Sequence, residues 1–297
     1  NSAHYMLDRF MSEADNDGAF TISQSTTAPD GFSKSLKVDI TSTDTSLSAA
    51  QYQQITYKVE AQDLQHLAYG TSAPKTITLS FYVRSNKTGN YNFVYEQPDN
   101  GNRLASYQYT INSANTWERK VITTTGDTSG VINDDNGVGL NLKWGLAYGS
   151  TYTSGSVTNA WAAQNNANFG AGQDVNLLDS TSNEWYITGV QLEVGSTATD
   201  FEHRSFAQEL ALCQRYYNRH AEGADHVPIC MSSAYTSTIN IGIVHFPCKM
   251  RVNPTVEAVA ASDYYRIISN GSSFFASNVV IEDANSTCTG IRVTGAS

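Results

Sequence analysis

Lys75-Thr-Ile-Thr-Leu-Ser-Phe-Tyr-Val-Arg84 is the stretch that decides the fold. Ile77, Leu79, Phe81 and Val83 fall on one side of an extended chain, with Thr76, Thr78, Ser80, Tyr82 and Arg84 on the other. That period of two belongs to a half-buried β-strand. Asn86-Lys-Thr-Gly89 follows as a turn, after which Tyr91, Phe93 and Tyr95 alternate in a second strand. Tyr107, Tyr109 and Ile111 repeat the pattern, and so do Leu140, Leu142, Trp144 and Leu146. Upstream, Gln53, Ile55, Tyr57 and Val59 supply another strand. Downstream, residues 184–194 close the series, with Tyr186, Val190, Leu192 and Val194 expected on one face. Short antiparallel strands with polar turns and no long helices between them predict a β-sandwich or jelly roll.

Composition points the same way. Only 15% of the 297 residues are charged and 11% are aromatic, with 17 Tyr and 6 Pro. Soluble chains usually carry roughly 25% charge. Disorder needs high charge and few aromatics, so it is excluded. No apolar run approaches the ~20 residues that span a bilayer, so no membrane insertion is expected. The net charge is −10 and the 18 Lys and Arg are scattered, leaving no basic stripe for nucleic acid.

The texture changes near residues 201–205. Ser205-Phe-Ala-Gln208 has the form of a capping box, and Phe206, Leu210, Cys213 and Tyr217 then recur on one helical face. The spacing predicts a helix over 205–218, with Gly223 just past its end. β alternation resumes at Ile239, Ile241 and Ile243, continues through Val252 and Val256, and includes a hairpin turn at Ser269-Asn-Gly-Ser272. The organisation read from these signals is a jelly roll over 1–203, a linking helix over 204–220 and a small β domain over 221–297.

Motifs for chemistry are sparse. Asp15-Asn-Asp-Gly18 cannot continue as an EF-hand loop, because Ala19 and Thr26 stand where oxygen ligands belong. Asp134 and Asp135, inside Asn133-Asp-Asp-Asn136, are the one candidate for a hard cation, although an acidic turn is usually just solvated. His4, His66, His203, His220, His226 and His245 show no metal-ligand spacing. Neither a nucleophile elbow nor a phosphate loop is present. Glu96, Glu118, Glu184 and Glu193 lie near strands, yet no spacing selects a glycosidase pair. No catalytic residue and no cofactor is expected. Cys213, Cys230, Cys248 and Cys288 form no CxxC pattern, and their confinement to the last third favours unpaired thiols.

What remains is binding. Neutral sugars are recognised by flat aromatic faces and planar hydrogen-bonding groups on a rigid surface. The outward strand faces carry Tyr82, Arg84, Lys58, Gln191 and Glu193, which are the candidate glycan-binding set. Trp144, Tyr91, Phe93 and Tyr95 are the more ambiguous aromatics, since a stripe of this kind is more often core.

Two stretches also carry resemblances. Residues 49–84, with Gln51-Tyr-Gln-Gln-Ile55 and Ile77-Thr-Leu-Ser-Phe-Tyr-Val83, are similar to the early strands of carbohydrate-binding-module jelly rolls, and Trp185-Tyr-Ile-Thr-Gly-Val-Gln-Leu-Glu-Val-Gly195 to their last strand. Val190-Gln-Leu-Glu-Val-Gly195, Phe201-Glu-His-Arg204, Glu209-Leu-Ala-Leu-Cys-Gln-Arg-Tyr-Tyr217, Phe246-Pro-Cys-Lys-Met-Arg251 and Pro254-Thr-Val256 resemble the distal part of tail-fibre and virion proteins of tailed, especially marine, bacteriophages. Ala3-His-Tyr-Met-Leu-Asp-Arg-Phe10 fits the same type. The second resemblance implies a virion protein assembled in the host cytoplasm, attached to other virion proteins through a preceding region, and adsorbing to a host surface glycan. It implies a homotrimer as well, for which Phe206, Leu210, Cys213 and Tyr217 are the candidate seam. The alternatives are a structural capsid-surface fibre, and a carbohydrate-active enzyme or its binding module.

Overall fold

A computed structural model describes residues 2–7, 10–221, 227–255, 265–269, 272–282 and 284–295. It divides the chain into two compact units, Asn1–His203 and Arg204–Ser297.

The strands of the first unit are β1 (Ser2–Leu7), β2 (Phe10–Asp15), β3 (Ala19–Ser25), β4 (Ser35–Ser42), β5 (Tyr52–Glu60), β6 (Ile77–Ser85), β7 (Gly89–Gln97), β8 (Arg103–Ile111), β9 (Glu118–Thr124), β10 (Val138–Tyr148), β11 (Ala162–Ala163) and β12 (Glu184–Val194). One short helix, α1 (Ser150–Thr153), lies between β10 and β11. The strands form a seven-stranded sheet in the order β1-β2-β5-β10-β7-β8-β11 and a five-stranded sheet in the order β3-β4-β12-β6-β9. All pairings are antiparallel, as a jelly-roll sandwich requires.

The alternation along β6 is the reason the two sheets stack. Ile77, Leu79, Phe81 and Val83 are all buried, and they meet Tyr91, Phe93, Tyr95, Leu142 and Trp144 from the opposite sheet in one continuous core. Phe81 is the central contact, edge-on to Trp144 at 5.7 Å and to Tyr109 at 5.4 Å. The ambiguous aromatics Trp144, Tyr91, Phe93 and Tyr95 are therefore core, each fully buried. Truncating a side chain of this size to Ala in such a core costs about 3–5 kcal/mol.

β12 departs from the expected facing. Its pairing with β6 slips between Thr188 and Gln191, and Gly189 there adopts φ +60°. A bulge shifts the side-chain parity by one. Trp185 and Ile187 point into the core before it, and Val190 and Leu192 pack against the core after it. Tyr186 consequently lies on the outer face, between Lys37 and Arg84, and not beside Val190.

The second unit holds helix α2 (Phe206–Gln214) and a five-stranded sheet of β13 (Ser232–Ala234), β14 (Ile239–His245), β17 (Cys288–Gly295), β16 (Ser272–Glu282) and β15 (Arg266–Ser269), in that spatial order. Both halves of the capping box at Ser205 and Gln208 form. Against the expected extent to residue 218, α2 stops at Gln214, because the amides of both Tyr216 and Tyr217 converge on the carbonyl of Cys213. Tyr217 is thus beyond the helix, and no residue of α2 is buried. Gly223, His226, Val256 and the Asn270-Gly271 turn lie outside the described residues, although Ser269 and Ser272 pair as that hairpin requires. No disulfide joins the four cysteines. No helix among the described residues is long and apolar enough to cross a membrane.

Candidate functional site

The outer face of the seven-stranded sheet holds the candidate site. Alternation that sends Leu140, Leu142 and Trp144 inward sends Asn141 and Lys143 outward, and the same rule turns Glu96 of β7, Gln54 of β5 and Glu13 of β2 to that side. The chain then crosses this face after β10. Its residues 149–175 form a strap, pinned where the Asn92 side-chain amide donates to the carbonyls of Phe169 (3.2 Å) and Ala171 (3.0 Å). Gly145 makes room for the Tyr148 ring beneath the strap and for Gln173 within it, since a Cβ at Gly145 would collide with the ring and stand 3.0 Å from Gln173 Oε1. Val94, Leu104, Tyr148 and Phe169 bury one another beneath the strap as a second, smaller core.

Beside the strap is a cleft of about 180 Å³, lined by Glu13, Tyr52, Gln54, Glu96, Lys143, Tyr152, Gln164, Asn166 and Phe169. Its aromatic walls lean on one another: Tyr52 meets Tyr152 edge-on at 5.4 Å, and Tyr152 meets Phe169 at 6.5 Å. Its floor is charged. Lys143 Nζ lies 2.8 Å from Glu96 Oε2 and 3.9 Å from Glu13 Oε2, and sits 5.2 Å from the centre of the Phe169 ring. Glu13 Oε2 also accepts from Gln54 Nε2 and Thr56 Oγ1, both at 2.6 Å. Glu96 Oε2 accepts from Asn141 Nδ2 at 2.8 Å, and the Tyr148 hydroxyl donates to Gln54 Oε1 at 2.7 Å. Each floor group has a hydrogen-bond or ion-pair partner in the protein, so the surface is preformed.

Electrostatics keep these groups in defined states. Burial pushes the Glu13 carboxyl up, but the Lys143 charge, the Thr56 and Gln54 hydrogen bonds and the Lys58 charge together carry it below its ordinary value. Glu13 is therefore a carboxylate at neutral pH, fit to accept hydrogen bonds and unfit to supply a proton. Burial, reinforced by the Glu13 charge, raises the Tyr52 and Tyr148 phenols, and burial with the Asp15 charge raises Tyr152. All three remain neutral hydroxyls.

The residues singled out from sequence are not gathered in one place. Tyr82, Arg84, Gln191 and Glu193 lie on the five-stranded sheet, and Lys58 on the seven-stranded one. Tyr82 packs 5.4 Å from Phe32, in a cluster that includes Phe201 and His203. Arg84 covers the Tyr186 ring at 5.0 Å and donates twice to Asn115. Gln191 donates to Thr199 Oγ1 and the Asp200 carbonyl and accepts from the Glu202 amide, while Glu193 accepts from the Thr199 amide and hydroxyl. Gln191 and Glu193 thus latch residues 199–202 onto the sheet. Lys58 lies over Tyr5 at 5.4 Å and acts on the cleft through its charge on Glu13. Asp134 and Asp135 stand in an exposed turn, where Asp135 Oδ1 accepts from the Gly137 amide at 2.7 Å. Among the described residues no three His, Cys, Asp or Glu side chains are grouped as metal ligands. Phe206, Leu210, Cys213 and Tyr217 belong to the second unit, with Phe206 82% and Tyr217 70% exposed.

Sequence reasoning missed most of the cleft. Glu96 was one carboxylate among several, and Tyr52, Gln54, Lys143, Tyr152 and Phe169 were not singled out. One signal was available: the polar face of the Leu140-to-Leu146 alternation, which places a lysine in the middle of a strand that is otherwise core.

No family model matches the chain, and no curated protein matches it. Solved structures similar to it include the enzymatically active domain of tailspike protein 4 of bacteriophage CBA120, at 9% identity and TM-score 0.35, covering 63% of this chain and 19% of that one. A family 11 carbohydrate-binding module from Clostridium thermocellum, in complex with a β-1,3-1,4-mixed-linked tetrasaccharide, is similar at 12% identity and TM-score 0.35, covering 66% of this chain and 91% of that one. An exo-β-agarase is similar at 12% identity and TM-score 0.34, covering 63% of this chain and 23% of that one.

Proposed function

We propose that the first unit is a carbohydrate-binding module that holds an oligosaccharide in the cleft over the seven-stranded sheet. The observation that carries this reading is the pairing of three aromatic walls, Tyr52, Tyr152 and Phe169, with the hydrogen-bonding floor of Glu13, Gln54, Lys143 and Glu96. Aromatic faces pack against the apolar faces of a sugar ring, and fixed carboxylate, amide and ammonium groups meet its hydroxyls. Binding without turnover is supported by the engagement of both floor carboxylates with protein partners, Glu96 with Lys143 and Asn141 and Glu13 with Gln54 and Thr56.

A glycan array probed with the intact protein and with the Tyr52→Ala/Tyr152→Ala double variant tests the reading. The account expects a discrete set of bound glycans whose Kd rises at least tenfold in the variant, which is a loss of about 1.4 kcal/mol. Binding that survives both substitutions removes the cleft as the site.

The setting we propose for this module is a virion fibre adsorbing to a host surface glycan, as a homotrimer. Support comes from the sequence resemblance spread over residues 190–256 and from a low-charge, hydroxyl-rich composition suited to a particle outside the cell. Several weak sites on one fibre raise avidity by about 10²–10⁴ where geometry allows. Antibody labelling of whole particles and the native mass of the assembled chain check this. A one-chain mass, or no labelling of a virion appendage, contradicts it.

A further inference from the structure

We infer that the cleft selects sugars bearing a free, protonated amine over neutral sugars and rejects uronates; this rests on the cleft being the glycan site. The charges around it are the first ground. Glu13 and Asp15 come from β2, Glu96 from β7, Lys143 from β10 and Lys58 from β5, with the neutral phenols Tyr52, Tyr148 and Tyr152 between them. Among the described residues these carboxylates outnumber the ammonium groups, and the one lysine in the cleft lining is already bound to Glu96. An added ligand carboxylate meets like charges at short range, in a site only partly open to water.

Unspent hydrogen-bonding capacity is the second ground. Oε2 of Glu13 and Oε2 of Glu96 take every hydrogen bond those carboxylates receive from the described residues, leaving both Oε1 atoms open. Gln164 Oε1, in the cleft lining, is buried without a partner. Asn141 Oδ1, outside the lining but on the same face of β10 as Lys143, is likewise buried without one. The orientation of Asn141 is not free to change, because its Nδ2 is committed to Glu96. The buried unpaired atom of the cleft lining, Gln164 Oε1, is an acceptor, and an unpaired buried acceptor carries a desolvation penalty that a donor relieves. An ammonium offers only donors, a hydroxyl offers both kinds, and a carboxylate offers only acceptors.

The third ground is the wall. Phe169 is buried with the Lys143 ammonium over its ring, in cation–π range, while Tyr52 and Tyr152 are the half-buried rings of the lining. A sugar ammonium seated between Tyr52, Tyr152 and the carboxylate oxygens gains on both sides.

Calorimetry on the intact protein with β-1,4-linked trimers of glucosamine, glucose and glucuronate tests the inference, run at pH 6 and again at pH 9. The glucose trimer controls for titration of the protein itself. The expected order at pH 6 is glucosamine at least tenfold tighter than glucose, and glucuronate weakest. At pH 9 the amine is neutral and the gap between the first two closes. Equal affinities at pH 6, or tightest binding of glucuronate, overturn the inference; if glucose binding is then lost in Tyr52→Ala/Tyr152→Ala, the glycan site itself stands. Binding of none of the three at either pH overturns the inference, while the glycan array with the double variant decides the glycan site separately.

Discussion

Lys143 and Glu96 face each other diagonally across β10 and β7, with Nζ 2.8 Å from Oε2 and less than a tenth of either residue exposed. Two charges so far from water are tolerable only because each has the other and both have further partners, Asn141 on Glu96 and Glu13 beside Lys143. The pair lies on the outward face of two central strands, with the hydrophobic core on the other side of the same backbone. A defect here is felt by the cleft and by the sheet together.

Lys143→Met therefore strands two carboxylates, and it should destabilise the first unit by about 3–5 kcal/mol in urea denaturation. Lys143→Met combined with Glu96→Gln removes one of the two stranded charges, leaving Glu13, and should recover part of that loss. A double-mutant cycle measures the coupling. Additive effects of the two substitutions would show that the pair is not coupled.

Glu118 gives the pH prediction. Its burial acts upward, but Lys120, the amides of Ser113 and Asn112 and the Asn112 side chain hold its pKa down at about 2, against an ordinary value near 4.5. A carboxylate depressed in the folded state contributes stability above its unfolded pKa, and that contribution fades as pH falls toward the folded value. Between pH 4.5 and about 2 the unmodified protein should lose stability more steeply than Glu118→Gln. Superimposable stability–pH curves for the two proteins would count against the hydrogen-bond account of this turn.

Gly189 is the position where β12 bulges, with φ +60° and the Phe32 ring 2.7 Å from where a Cβ would stand. Gly189→Ala combines backbone strain with a clash, and should cost about 2–4 kcal/mol in thermal or urea unfolding. It should also loosen residues 199–203, because Phe201 and His203 stack on the same Phe32. Proteolysis within that segment reports the loosening. An unchanged midpoint would mean that the bulge is not constrained as described.

The sandwich was legible because its signal is local. Ile77 to Val83 and Leu140 to Leu146 each state their own facing, and β12 begins and ends at the residues the pattern marks. The facing of Tyr186 was not, because a one-residue bulge reverses parity without changing the run of residue types. The cleft was hidden for a different reason. Glu13, Tyr52, Glu96, Lys143 and Phe169 are brought together by sheet order, in which β10 sits between β5 and β7, and sequence distance carries no trace of that order. The strap has no periodicity, being held by single hydrogen bonds such as those from Asn92. On the opposite sheet, Tyr82, Arg84, Gln191 and Glu193 have the right chemistry for sugar contact, yet each is engaged with Phe32, Tyr186, Asn115 or residues 199–202.

The central claim is that ligand is held on the outer face of the seven-stranded sheet. Hydrogen exchange with and without a glycan selected from the array measures this most directly. The account predicts slower exchange on binding in the strap, residues 149–175, with residues 80–84 and 199–203 unchanged. Protection confined to residues 80–84, 188–193 and 199–203, with the strap unaffected, would contradict it.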